Sequence, residues 1–237
     1  GTMGGGIAMS FANAGIPVTL IETGEEQLKR GMGVMQKNYE ATAARGGIPA
    51  DAPAKRMGLI TGVVGLENVK DADLVIEAVF ETMAVKKEVF EALDKHAKPG
   101  AVLASNTSYL NIDEIAKVTK RPQDVLGMHF FSPANVMKLC EIVRADKTAP
   151  DALTTAVSIA RKIAKVPAVV GVCDGFVGNR MLAQRGKQSE KLLFEGALPQ
   201  QVGHHAAAGR GHDRRTTGRD HGLRGFERGA GQAATGQ

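Results

Sequence analysis

Long hydrophobic runs are missing from this 237-residue chain. No segment approaches the roughly 18 consecutive apolar residues that a membrane span requires. Cysteine is nearly absent too: Cys140 and Cys173 stand alone, each in an apolar stretch and without C-x-x-C spacing. That excludes a cysteine metal site or a dithiol redox pair and suits buried, reduced thiols of an intracellular protein. Aromatic residues make up 4% with no Trp. The net charge is +5, but residues 202–237 hold six Arg against three acidic residues and so carry +3 of it. The body lacks a basic stripe interleaved with aromatics, and no nucleic-acid partner is expected. No signal peptide is visible, and because the start reads as incomplete this says little about targeting.

What the chain does have is an opening of small residues, Gly1-Thr2-Met3-Gly4-Gly5-Gly6. Glycines let a backbone approach a pyrophosphate closely, and a helix starting there aims free N–H groups and its positive dipole end at the negative charge. Gly1 and Gly4 have the spacing of the second and third glycines of G-x-G-x-x-G. The first glycine and the strand before it are then absent. A Gly-rich start to an unrelated domain would look the same.

Downstream, strand-like and helix-like segments alternate. Helical patterns cover 2–14, 23–44, 82–97, 111–118 and 150–164. Strand patterns cover 18–21, 60–64, 74–76, 101–104, 125–131, 137–143 and 166–172, the last broken by Pro167. This alternation predicts an α/β fold, a doubly wound Rossmann-type and mostly parallel sheet lacking its first strand, with ligands at the carboxyl ends of the strands. Residues 1–173 form that domain, and 174–200 begin a helical C-terminal domain. From 201 the composition becomes atypical, which reads as a disordered tail or a shifted reading frame. Four of the six His fall in that tail and are not proposed as metal ligands; no metal site is expected.

Several residues stand out chemically. Glu22 ends the 18–21 strand, 18 residues after Gly4, where a carboxylate accepts from ribose hydroxyls and repels a 2′-phosphate, favouring NAD over NADP. A helix N-terminal charge is the competing explanation. Ser105-Asn106-Thr107-Ser108 follows a strand and precedes a helix, as either a ligand-edge loop or an N-capping loop would. His129 and Glu141 are lone polar residues in apolar strands, costly to bury singly. With the strands side by side, the carboxylate would fix the imidazole tautomer and raise the basicity of its other nitrogen, an apparatus for oxidising an alcohol beside a nicotinamide. A satisfied core histidine is the alternative.

Five stretches in order, Gly1-Thr2-Met3-Gly4, Val75-Ile76-Glu77-Ala78-Val79-Phe80-Glu81, Ser105-Asn106-Thr107-Ser108, His129-Phe130-Phe131-Ser132-Pro133 and Asp174-Gly175-Phe176-Val177-Gly178-Asn179-Arg180, resemble the 3-hydroxyacyl-CoA dehydrogenase family. The resemblance spans about residues 1–200 and is closest to the dehydrogenase part of multifunctional fatty-acid oxidation enzymes. It implies NAD-dependent oxidation of (S)-3-hydroxyacyl-CoA to 3-oxoacyl-CoA, with His129 as acid/base, Glu141 as its partner, and Ser108 and Asn179 near the substrate 3-oxygen. Gly1, Thr2, Met3, Gly4, Glu22, Glu81, Lys86 and Asn106 would line the NAD site. An acyl-CoA substrate, a homodimer or fused hydratase in the intact protein, and a bacterial cytoplasmic location follow from the same resemblance. Ser132 departs from the Asn found in many members, and the helical domain stops after its first helix. A nucleotide-binding fragment without catalysis and a β-hydroxyacid-type dehydrogenase are the competing readings.

Overall fold

The computed structural model describes residues 1–202; the tail expected beyond them lies outside the described residues. Compact packing separates a unit Gly1–Gln184 from one that starts at Arg185. The first unit alternates strands and helices as the sequence pattern predicts. In chain order they are α1 (Thr2–Asn13), β1 (Val18–Glu22), α2 (Glu25–Ala44), α3 (Ala52–Met57), β2 (Ile60–Val64), β3 (Leu74–Glu77), α4 (Met83–His96), β4 (Val102–Ser105), α5 (Ile112–Ala116), β5 (Val125–Phe130), β6 (Leu139–Arg144), α6 (Pro150–Lys162) and β7 (Val166–Gly171). A last helix, α7 (Gly178–Phe194), crosses from the first unit into the second.

The strands lie in two ladders, β1-β2 and β3-β4-β5-β6-β7. All pairings are parallel except β5 with β6. β1 ends one ladder and β3 the other, with no pairing between them among the described residues. Pro167 does not break β7: it pairs with Cys140 on the outermost strand, where a missing N–H need not leave a gap in the sheet.

Burial follows the periodicities. The central strands β4 and β5 are buried at every residue, as expected of a sheet covered on both faces. One core sets Ile7 and Phe11 of α1 and Ala152, Ala156 and Ala160 of α6 against Leu126, Met128 and Phe130. On the other face Phe90 and Leu93 of α4 and Ile112 and Ile115 of α5 pack on Leu103 and Val125. Phe90 and Ile112 are fully buried; burial of this kind is worth about 1.5–3 kcal/mol per large side chain. A third core joins α1 to α2 and β1-β2, where the Tyr39 hydroxyl donates to Met9 O and Asn13 Oδ1. Burial, opposed by nearby Arg56, pushes this phenol up to about 12. This packing fixes α1, and thus its N-terminal end, at the sheet's carboxyl edge.

Candidate active site

α1 begins at the glycine-rich stretch, and its first helical bond runs from Gly5 N–H to Gly1 O at 3.0 Å. The amides of Thr2, Met3 and Gly4 therefore have no helical acceptor. A Cβ placed on Gly1 would meet no atom within 4 Å, so the approach to these amides is open. Glu22, at the end of β1, lies beside them: its carboxylate accepts from the Gly1 amino group. Free amides for phosphate next to a carboxylate for ribose hydroxyls fit a dinucleotide.

The antiparallel pairing of β5 and β6 sets His129 directly opposite Glu141. His129 Nδ1 is 2.8 Å from Glu141 Oε2, and both side chains are almost wholly buried. The other carboxylate oxygen accepts from the amides of Val177 (3.0 Å) and Gly178 (2.8 Å), which fixes the carboxylate's rotation. Two left-handed residues, Gly175 (φ 67) and Phe176 (φ 48), aim those amides at it. Left-handed backbone is costly for Phe, and such strain is stored where geometry is functional. A Cβ on Gly178 would lie 2.6 Å from Phe131 Cζ, so any side chain there would displace the ring that flanks His129.

With the carboxylate ionised, Nδ1 carries the proton and Nε2 keeps a lone pair. Nε2 makes no hydrogen bond among the described residues. Phe131 (ring centroids 4.4 Å away) and Phe176 (5.7 Å) flank the imidazole and keep its surroundings apolar. Asn179 Nδ2 points to Ser108 O at 3.5 Å, the long limit of a hydrogen bond. Residues 175–179 thus join His129, Glu141, Ser108 and Asn179 at one edge of the sheet.

Asn106 and Glu81 lie along the same edge. Asn106 Oδ1 accepts from Phe130 N–H at 2.8 Å, which settles which end of the amide is oxygen and which is the donor. Glu81 Oε1 accepts from the Thr107 hydroxyl and from the amides of Ser108 (2.7 Å) and Tyr109 (3.2 Å). Burial alone would raise the Glu81 carboxyl; these donors and the Lys86 ammonium outweigh it and hold it below its ordinary value of 4.5. Its stabilising contribution is therefore complete above 4.5 and is lost as pH falls through the lower folded value.

Lys86, which the resemblance places along the NAD site, has its ammonium against two carboxylates. It is 1% exposed, with Nζ 2.8 Å from Glu77 Oε1 and 3.3 Å from Glu81 Oε2. Glu77 completes the network by accepting from Val79 N–H (2.7 Å) and the Ser105 hydroxyl (2.7 Å). Sequence reasoning passed over Glu77. The available signal was a carboxylate at the end of the apolar run Leu74-Val75-Ile76, nine residues before a lysine.

The family profile for the 3-hydroxyacyl-CoA dehydrogenase NAD binding domain matches residues 1–173. The chain belongs to the 3-hydroxyacyl-CoA dehydrogenase family. It is 46% identical over 202 residues to a peroxisomal bifunctional enzyme of Danio rerio, covering 85% of this chain and 27% of that protein. It is 38% identical over 197 residues to the fatty acid oxidation complex subunit alpha of Psychrobacter cryohalolentis, covering 83% and 27%. The chain thus spans little more than a quarter of the length of these curated relatives. Among solved structures, 3-hydroxybutyryl-CoA dehydrogenase from Escherichia coli superposes with a TM-score of 0.80 at 32% identity, covering 84% of this chain and 42% of that one. FadB2 of M. tuberculosis gives 0.83 at 36%, covering 90% and 76%. The family is an NAD-binding one, in keeping with Glu22 and the free amides of α1. No described helix is long and apolar enough to cross a membrane.

Proposed function

We propose that this chain carries the NAD-dependent oxidation of (S)-3-hydroxyacyl-CoA to 3-oxoacyl-CoA, as a step of fatty-acid β-oxidation. The observation that carries the reading is the buried His129–Glu141 pair, in a family that binds NAD. His129 Nε2 takes the proton of the substrate's 3-hydroxyl, and Glu141 stabilises the imidazolium that forms. When bound, NAD accepts the hydride from C3. Ser108 and Asn179 orient the 3-oxygen. Gly1, Thr2, Met3 and Gly4 receive the pyrophosphate, Glu22 the ribose, and Asn106 and Glu81 the nicotinamide half. Lys86 acts there through Glu81. Residues 1–173 form the cofactor domain, and 174–200 begin a helical one. In a bacterial host the enzyme is cytoplasmic; peroxisomal relatives mark the alternative compartment. A fused hydratase or a homodimer belongs to the longer protein, after the bifunctional and multifunctional names of the relatives.

Titration with NADH and NADPH, followed by addition of acetoacetyl-CoA, tests this. NADH is expected to bind at least about ten-fold tighter than NADPH and to be oxidised on adding acetoacetyl-CoA. Glu22→Ser should narrow that preference. Failure to bind either nucleotide overturns the reading, whereas binding without turnover would identify a nucleotide-binding segment only.

A further inference from the structure

Lys165 sits between α6 and β7, 8% exposed, in a place where an apolar residue would be expected. Its Nζ donates to two backbone carbonyls, Ala134 O at 2.5 Å and Met137 O at 2.9 Å. No carboxylate lies within ion-pair distance of it among the described residues. Burial holds its ammonium below the usual lysine range, opposed only by Cys140. That thiol, pushed up to about 12 chiefly by burial, is neutral near pH 7 and offers no counter-charge. A buried ammonium spent entirely on carbonyls costs desolvation, so the geometry it fixes is the feature to explain.

That geometry links two parts of the site. The loop 132–137 continues directly from the strand that bears His129. The Ser10 hydroxyl of α1 shares its one proton between the loop's Ala134 carbonyl (3.2 Å) and Gly6 O of the same helix (3.1 Å). One turn earlier in α1, a Cβ on Gly6 would lie 3.1 Å from Ala134 Cβ, so helix and loop are in close contact. Gly6 and Ser10 are four residues apart and share one helical face. The preceding residue, Ala164, takes a left-handed conformation (φ 59) uncommon for a residue with a Cβ, and Lys165 N–H is tied back to Ala160 O at 2.9 Å. This turn delivers the lysine to the loop.

We propose that Lys165 is a positioning residue: it ties the loop after the His129 strand to the α6–β7 turn, in the place where that loop packs on α1, and so sets the distance between the phosphate-binding amides and the dyad. Its functional consequence rests on the NAD-dependent reading above. A dinucleotide held at both ends needs that distance fixed before it binds, because any mismatch is subtracted from its affinity.

The test compares wild type with Lys165→Met, which keeps the length of the stem and removes the donors. Two quantities are read: the NADH dissociation constant by fluorescence, and hydrogen exchange at the Val136 and Met137 amides, both of which donate to Pro133 O. The expected result is about ten-fold weaker NADH binding together with faster exchange at both amides. A lower melting temperature with unchanged NADH affinity and exchange overturns the proposal, as does weaker binding with unchanged exchange. Should Lys165→Met fail to fold, Ser10→Ala, which removes the second donor to the same carbonyl, must show both effects in smaller measure; if it shows neither, the proposal falls. If wild type binds no NADH, the dehydrogenase reading fails, and exchange at Val136 and Met137 alone decides the clamp.

Discussion

With acetoacetyl-CoA and NADH as reactants, His129→Gln is expected to lower kcat about a thousand-fold while moving the NADH dissociation constant by less than about two-fold. The imidazole is walled by Phe131 and Phe176 and paired with Glu141 through Nδ1, so its loss removes a proton carrier without removing a cofactor contact. Glu141→Gln should fall in the same range for a different reason. The introduced amide oxygen stays on the N–H groups of Val177 and Gly178, which turns its NH2 toward Nδ1. Nδ1 must then accept, the ring proton moves to Nε2, and the base is lost to the wrong tautomer. Equal losses of turnover and NADH affinity in His129→Gln would make the residue structural instead.

The second large effect concerns stability. Lys86→Met is expected to cost about 3–5 kcal/mol of unfolding free energy, read from urea denaturation. The mutation leaves the Glu77 carboxylate, 1% exposed, with only the Val79 amide and the Ser105 hydroxyl for company. Replacing both partners, as Glu77→Gln with Lys86→Met, should recover most of that cost, because the penalty comes from the uncompensated charge rather than from a lost attraction. A single-mutant cost below about 1 kcal/mol would show that the pocket admits water. The same network supports Glu81, whose acceptors hold the amides of Ser108 and Tyr109, so loosening it should also disturb the substrate edge.

Much of this was legible in the residues. Parallel strands buried on both faces read as short apolar runs between helical periodicities, which is why the alternation survives in the structure nearly residue for residue. A lone His and a lone Glu in such runs announce themselves, because each is expensive unless the other is near. Their twelve-residue separation could not say whether the strands were adjacent; the antiparallel register supplies that. Other features were hidden for physical reasons. The six residues of α3 lie between Pro49 and Gly58 and include Pro53, too short a stretch for any periodicity to emerge. Pro167 looked like a strand breaker because sequence does not show which strand is outermost. Lys86 and Lys165 carry the most water-seeking side chain, and only the tertiary fold shows that one meets carboxylates and the other carbonyls.

Helix α7 buries no residue along its length, and Met181, Leu182 and Phe194 stand at 63–93% exposure. With so little packing, local unwinding there requires little energy compared with opening the sheet. Arg180, Arg185, Lys187 and Lys191 fall on this helix, so among the described residues it offers trypsin accessible cuts. A fragment trimmed at Arg185 keeps Val177 and Gly178, and with them the amides that hold Glu141 to His129.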